Sequence, residues 1–74
     1  MTKRQIQNSL RKAGIPANKA SYSGYILSDY ATQFEITYFS FKTALTESRL
    51  NDIQAVLPQA KRINNKLVIA KVGA

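Results

Sequence analysis

The stretch SYSGYILSDYATQFEITYFSF, residues 21–41, decides how the rest of the chain is read. It is rich in aromatic and β-branched residues, and two runs, 21–28 and 32–41, flank a short turn near residues 29–31, the pattern of a β-hairpin. In the second run Phe34, Ile36 and Tyr38 alternate with Glu35, Thr37 and Phe39. One face is therefore apolar and suited to packing on helices, while the other starts polar and turns aromatic at Phe39 and Phe41. Gly24 inside the first strand suggests a bulge, or a place where another backbone or a ligand comes close, and the bulge is the commoner explanation.

Helical signals lie on both sides of this hairpin. Ahead of it, Thr2 can cap with Gln5 three residues on, Ile6, Leu10 and Ala13 recur at helical spacing, and Gly14 followed by Ile15 and Pro16 ends the run, predicting a helix over residues 3–13. At about 100° per residue, Arg4, Gln7, Asn8 and Arg11 fall opposite Ile6 and Leu10, with Lys3 and Lys12 on the flanks, so a cationic stripe faces water. Behind the hairpin, a second helix starts near Thr46 as N-cap, with Glu47 in its first turn and Leu45 stapled onto Leu50. Leu50, Ile53 and Leu57 form its buried stripe and Pro58 its stop. Residues 60–63, Asn64-Asn65 and residues 66–72 then read as a second hairpin, although 60–63 can equally be a lead-in coil. Leu67 and Ile69, with Val68 and Ala70, make the last strand apolar on both sides, which suits the middle of the sheet or a place under the helices. The expected fold class is α+β: two helices packed on one face of a three- or four-stranded antiparallel sheet, order α-β-β-α-β(-β), in one small domain over residues 1–74.

Composition narrows the chemistry. The 74 residues hold 11 Lys plus Arg against 4 Asp plus Glu, a net charge of +7, with no His, Cys or Trp. A chain this short buries only about 60–65% of its unfolded surface, which leaves no room for a large catalytic cleft. Disulfides and thiolate metal sites are excluded, and the commonest proton carrier at neutral pH is absent. Asp29, Glu35, Glu47 and Asp52 look dispersed, and Gly14, Gly24 and Gly73 make no phosphate-cradling loop. We therefore expect no enzyme, no cofactor and no metal. No apolar run approaches the roughly 18 residues of a membrane span and nothing reads as a secretion signal, so a cytoplasmic chain with no membrane partner is expected.

The positive charge is concentrated at the two ends. Lys3, Arg4, Arg11, Lys12 and Lys19 precede the hairpin without an acid among them, and Lys61, Arg62, Lys66 and Lys71 follow the second helix likewise. All seven aromatics lie between these ends. The partner expected from such a balance is nucleic acid or an acidic protein surface. For nucleic acid, Lys3, Arg4, Arg11, Lys12, Lys61, Arg62, Lys66 and Lys71 supply phosphate contacts, and a platform of Tyr22, Ile26, Phe39 and Phe41 could stack bases. The first helix alternatively enters a groove with its basic face. The competing expectation is a protein-interaction or inhibitor module, similar in size and lack of catalytic residues to phage and mobile-element inhibitors such as anti-CRISPR proteins, with Tyr22, Tyr30, Phe39 and Phe41 as interface anchors. An edge strand could also pair with a second copy to give a homodimer.

Overall fold

The computed structural model describes residues 2–19 and 23–71. Helix α1 (Lys3–Lys12) is held at both ends by its own sequence. The Gln5 backbone N–H donates to Thr2 Oγ1 at 3.2 Å while the Thr2 N–H donates to Gln5 Oε1 at 2.8 Å, a reciprocal capping box. At the other end Gly14 takes φ 76°, Gly14 N–H bonds the Arg11 carbonyl and Ile15 N–H bonds the Leu10 carbonyl, both at 3.0 Å. These two bonds form a Schellman closure, which satisfies carbonyls that the helix would otherwise leave bare and turns Ile15 inward beside Leu10.

Strands β1 (Gly24–Asp29), β2 (Gln33–Phe39), β3 (Lys61–Ile63) and β4 (Lys66–Ala70) form one antiparallel sheet in the order β1-β2-β4-β3, with α2 (Thr43–Val56) between the two hairpins. The chain order is thus α-β-β-α-β-β, with residues 61–63 a true strand. Asn64, at φ 53°, supplies the left-handed position that the tight β3–β4 turn requires. Strand β4 is interior, between β2 and β3, as its two apolar faces imply. Phe34, Ile36 and Tyr38 of β2 and Leu67 and Ile69 of β4 point to the helical side, where they close over Ile6, Leu10, Leu50, Ile53 and Leu57.

Three local expectations are corrected. Helix α2 begins at Thr43 with Lys42 as N-cap, not near Thr46. Nothing in residues 43–45 opposes helix, and the chain turns at Ser40, whose Oγ accepts the Lys42 N–H at 3.1 Å. Glu47 therefore falls outside the first turn, and Leu45 stays exposed instead of stapling onto buried Leu50. The strands of the first hairpin are also placed differently: β1 starts at Gly24 and runs one residue past the expected end to Asp29, β2 covers Gln33–Phe39 within the expected 32–41, and the last strand ends at Ala70; residues 21–22 and 72 lie outside the described residues.

The third correction concerns Gly24. There is no bulge, because pairing runs unbroken from Gly24 opposite Phe39 to Asp29 opposite Phe34. Instead the segment after α1 lies along the outer edge of β1, bridging Ala17 to Tyr25 in parallel. Tyr25 N–H donates to the Pro16 carbonyl and Asn18 N–H to the Tyr25 carbonyl, both at 2.9 Å. Glycine is required because a Cβ at position 24 would sit 2.4 Å from backbone atoms of Ala17 and Asn18.

Candidate nucleic-acid interface

The fold divides the cations into two groups. Each of the four carboxylates is held by a different partner: Arg62 Nη2 lies 2.6 Å from Glu47, Lys66 Nζ 2.9 Å from Glu35, Arg49 Nη1 3.7 Å from Asp52, and Lys71 Nζ bonds Asp29. Arg62 also donates from Nε to the Asn64 carbonyl at 2.7 Å, and the Lys71 ammonium stands 4.7 Å over the Phe34 ring. Three of the four C-terminal cations expected to contact phosphate are thus engaged within the domain, where they tie β3 to α2, β4 to β2 and the end of β4 to the end of β1. Exposed pairs of this kind add little stability, but they cancel the local field.

Lys3, Arg4, Arg11, Lys12, Lys19, Lys42 and Lys61 make no ion pair among the described residues. These seven account for the whole net charge of +7, and five of them lie in α1 and the segment that follows it. Lys61, the remaining member of the C-terminal set, stands alone at the opposite edge of the sheet. Most of the uncompensated charge, five of the seven cations, therefore lies in α1 and the segment that follows it, with Lys42 and Lys61 elsewhere.

The cationic stripe of α1 is exposed to solvent and borders a hollow. Arg4, Gln7, Asn8 and Arg11 form one wall of a concavity of about 590 Å3 whose other boundary is Tyr25 of β1. Two adjoining hollows share Tyr25: one reaches Lys3, Ala17 and Asn18, the other Arg11, Pro16 and Lys19. A trough thus runs between α1 and the edge of the sheet, with a half-buried tyrosine in its floor and basic side chains along its rim. Lys12 faces a neighbouring hollow with Gln5, Asn8 and Ser9.

The aromatic residues expected to act together do not gather. Phe39 and Phe41 meet edge to face, with ring centroids 5.2 Å apart, and Phe41 is 77% exposed. Tyr30, although exposed, sits at the β1–β2 turn, at the other end of the hairpin from Phe39. Tyr22 lies outside the described residues. Ile26 and Phe39 do share the helix-free face of the sheet, but its middle holds Glu35, bonded to Lys66 and, at 2.7 Å, to Gln33 Nε2. The Lys66 ammonium, and then the Gln33 amide, hold the Glu35 carboxyl below the usual glutamate range. The centre of that face is therefore a Glu35–Lys66 pair with no net charge, which gives a phosphate backbone no attraction.

Tyr25 and Lys19 are the trough residues that were not singled out from sequence. Lys19 belongs to the acid-free N-terminal segment, whereas Tyr25 reads from sequence as a candidate core filler, with Tyr38 as the alternative. No helix among the described residues is long and apolar enough to cross a membrane. Neither a protein-family model, nor a curated protein, nor a solved structure matches the chain.

Proposed function

We propose that the protein is a small, non-catalytic nucleic-acid-binding module that grips phosphates with α1 and the segment following it. The observation that carries this reading is the segregation of charge: each of the four side-chain carboxylates is paired, and five of the seven Lys and Arg side chains without an ion pair among the described residues fall in residues 3–19. Such a surface concentrates polyanions and releases their counterions on contact, so affinity falls steeply with salt. On this reading Arg4 and Arg11 make the main contacts, with Lys3, Lys12 and Lys19 at the margins. Arg62, Lys66 and Lys71 serve the fold.

The test is fluorescence anisotropy of labelled oligonucleotides, DNA and RNA, at about 50 mM and about 200 mM salt. Binding at micromolar protein or tighter in the lower salt, weakened at least about tenfold in the higher, is expected. No binding at about 50 mM salt overturns the reading. A second reading, docking on an acidic protein surface, is favoured by the exposed Phe39–Phe41 pair, and it gains from that negative outcome.

A further inference from the structure

Resting on that reading, we propose that the trough between α1 and the edge of the sheet is a subsite for single-stranded nucleic acid, taking an unpaired base against Tyr25 while Arg4 and Arg11 hold the phosphates on either side.

Three observations lead to this. First, the cationic face of α1 is solvent-exposed but borders a hollow on its Tyr25 side. A helix enters the major groove, about 12 Å wide and 8.5 Å deep, only when the face it presents projects beyond its neighbours. Here that face shares a concavity with Tyr25, and the segment at Pro16 to Asn18 stands alongside. A duplex meets the exposed side chains of α1 alone, whereas a single strand also reaches Tyr25 in the hollow beside them.

Second, the size and lining fit a nucleotide unit. A concavity of about 590 Å3 falls within the range of small-ligand sites. Arg4 and Arg11 are two helical turns apart, about 10 Å along the axis, so they reach separate phosphates. Gln7 and Asn8 between them offer both donors and acceptors to a base edge. Single-strand binders combine a basic groove that tracks the backbone with an aromatic surface for unstacked bases.

Third, Tyr25 is held in place. Its backbone N–H and carbonyl are both bonded to the 16–18 segment, and its side chain packs partly against the core. An aromatic ring fixed in this way loses little freedom when a base stacks on it. Among the described residues, no carboxylate lines the trough or the two hollows beside it.

The experiment compares a labelled oligothymidylate, an oligouridylate and a blunt DNA duplex of the same length by anisotropy, for the native protein, Tyr25→Phe and Tyr25→Leu. Both single strands are expected to bind at least about tenfold more tightly than the duplex, Tyr25→Leu to lose about tenfold on single strands only, and Tyr25→Phe to stay near native. Should Tyr25→Leu fail to fold, photocrosslinking of a bromouridine-substituted oligonucleotide to the native protein replaces it, with the crosslink expected at Tyr25. Equal or tighter duplex binding, or a crosslink at Tyr30, Phe39 or Phe41, overturns the subsite while leaving nucleic-acid binding intact. No binding by any of the three probes overturns both.

Discussion

Reversing Arg4 and Arg11 together to glutamate is expected to weaken oligonucleotide binding at least about a hundredfold, a loss of about 3 kcal/mol. Both side chains line the trough and neither is paired with a carboxylate, so no internal contact is lost when they change. Each reversal removes a phosphate contact and puts a repulsive charge in its place, and the dependence of log affinity on log salt should flatten by about two. Fold is preserved, because the buried face of α1 is Ile6 and Leu10 and both arginines are exposed. The matched control reverses Lys42 and Lys61, which leaves the same net charge of +3, four units below the native +7. That variant should lose far less, since Lys42 precedes α2 and Lys61 lies across the sheet. If both variants lose affinity equally, overall charge governs binding and the α1 surface has no special part.

Gly24→Ala is expected to destabilise the domain by about 3 kcal/mol. The added Cβ meets backbone atoms of Ala17 and Asn18 at 2.4 Å, and backbone cannot swing aside as the end of a long side chain can. Relief requires the 16–18 segment to lift from β1, with loss of the two 2.9 Å bonds to Tyr25, each worth about 1 kcal/mol, on top of the strain of overpacking. Restricting the unfolded chain returns less than about 1 kcal/mol, so the balance stays unfavourable. For a domain of this size the midpoint of thermal unfolding should fall by roughly 12–24 °C, read by circular dichroism. A fall of only a few degrees would mean that the segment re-seats at little cost. Because Ala17 and Asn18 also border the trough, the same substitution should weaken oligonucleotide binding in whatever fraction remains folded.

What could be read from sequence was what neighbouring residues decide. Thr2 with Gln5, and Gly14 with Ile15, set the ends of α1 through contacts within a few positions, and the alternation around Phe34, Ile36 and Tyr38 fixed which face of β2 is buried. The start of α2 was misplaced because Thr46 has the chemistry of a cap. In the folded chain its hydroxyl instead lies 3.5 Å from the Lys42 carbonyl, four residues back, inside a helix that nothing upstream interrupts.

The division of the cations was hidden for a different reason. Arg62 and Glu47 are 15 positions apart, Lys66 and Glu35 are 31, and Lys71 and Asp29 are 42, so no local pattern reveals which charges cancel. Gly24 likewise answers to a backbone seven positions upstream, and a glycine in a strand has the same local appearance whether it makes a bulge or a close approach. Tyr25 joins the proposed interface only because α1 and the 16–18 segment meet on either side of it.

The most direct test of where the protein binds is a titration of the 15N-labelled chain with oligothymidylate, followed by backbone amide NMR shifts. The account predicts that the largest shifts fall in Lys3–Lys12, at residues 17–19 and at Tyr25, while Lys61–Ile63 and Lys66–Ala70 barely move. Shifts centred on the C-terminal hairpin or on Phe39 and Phe41, with α1 unmoved, would contradict it.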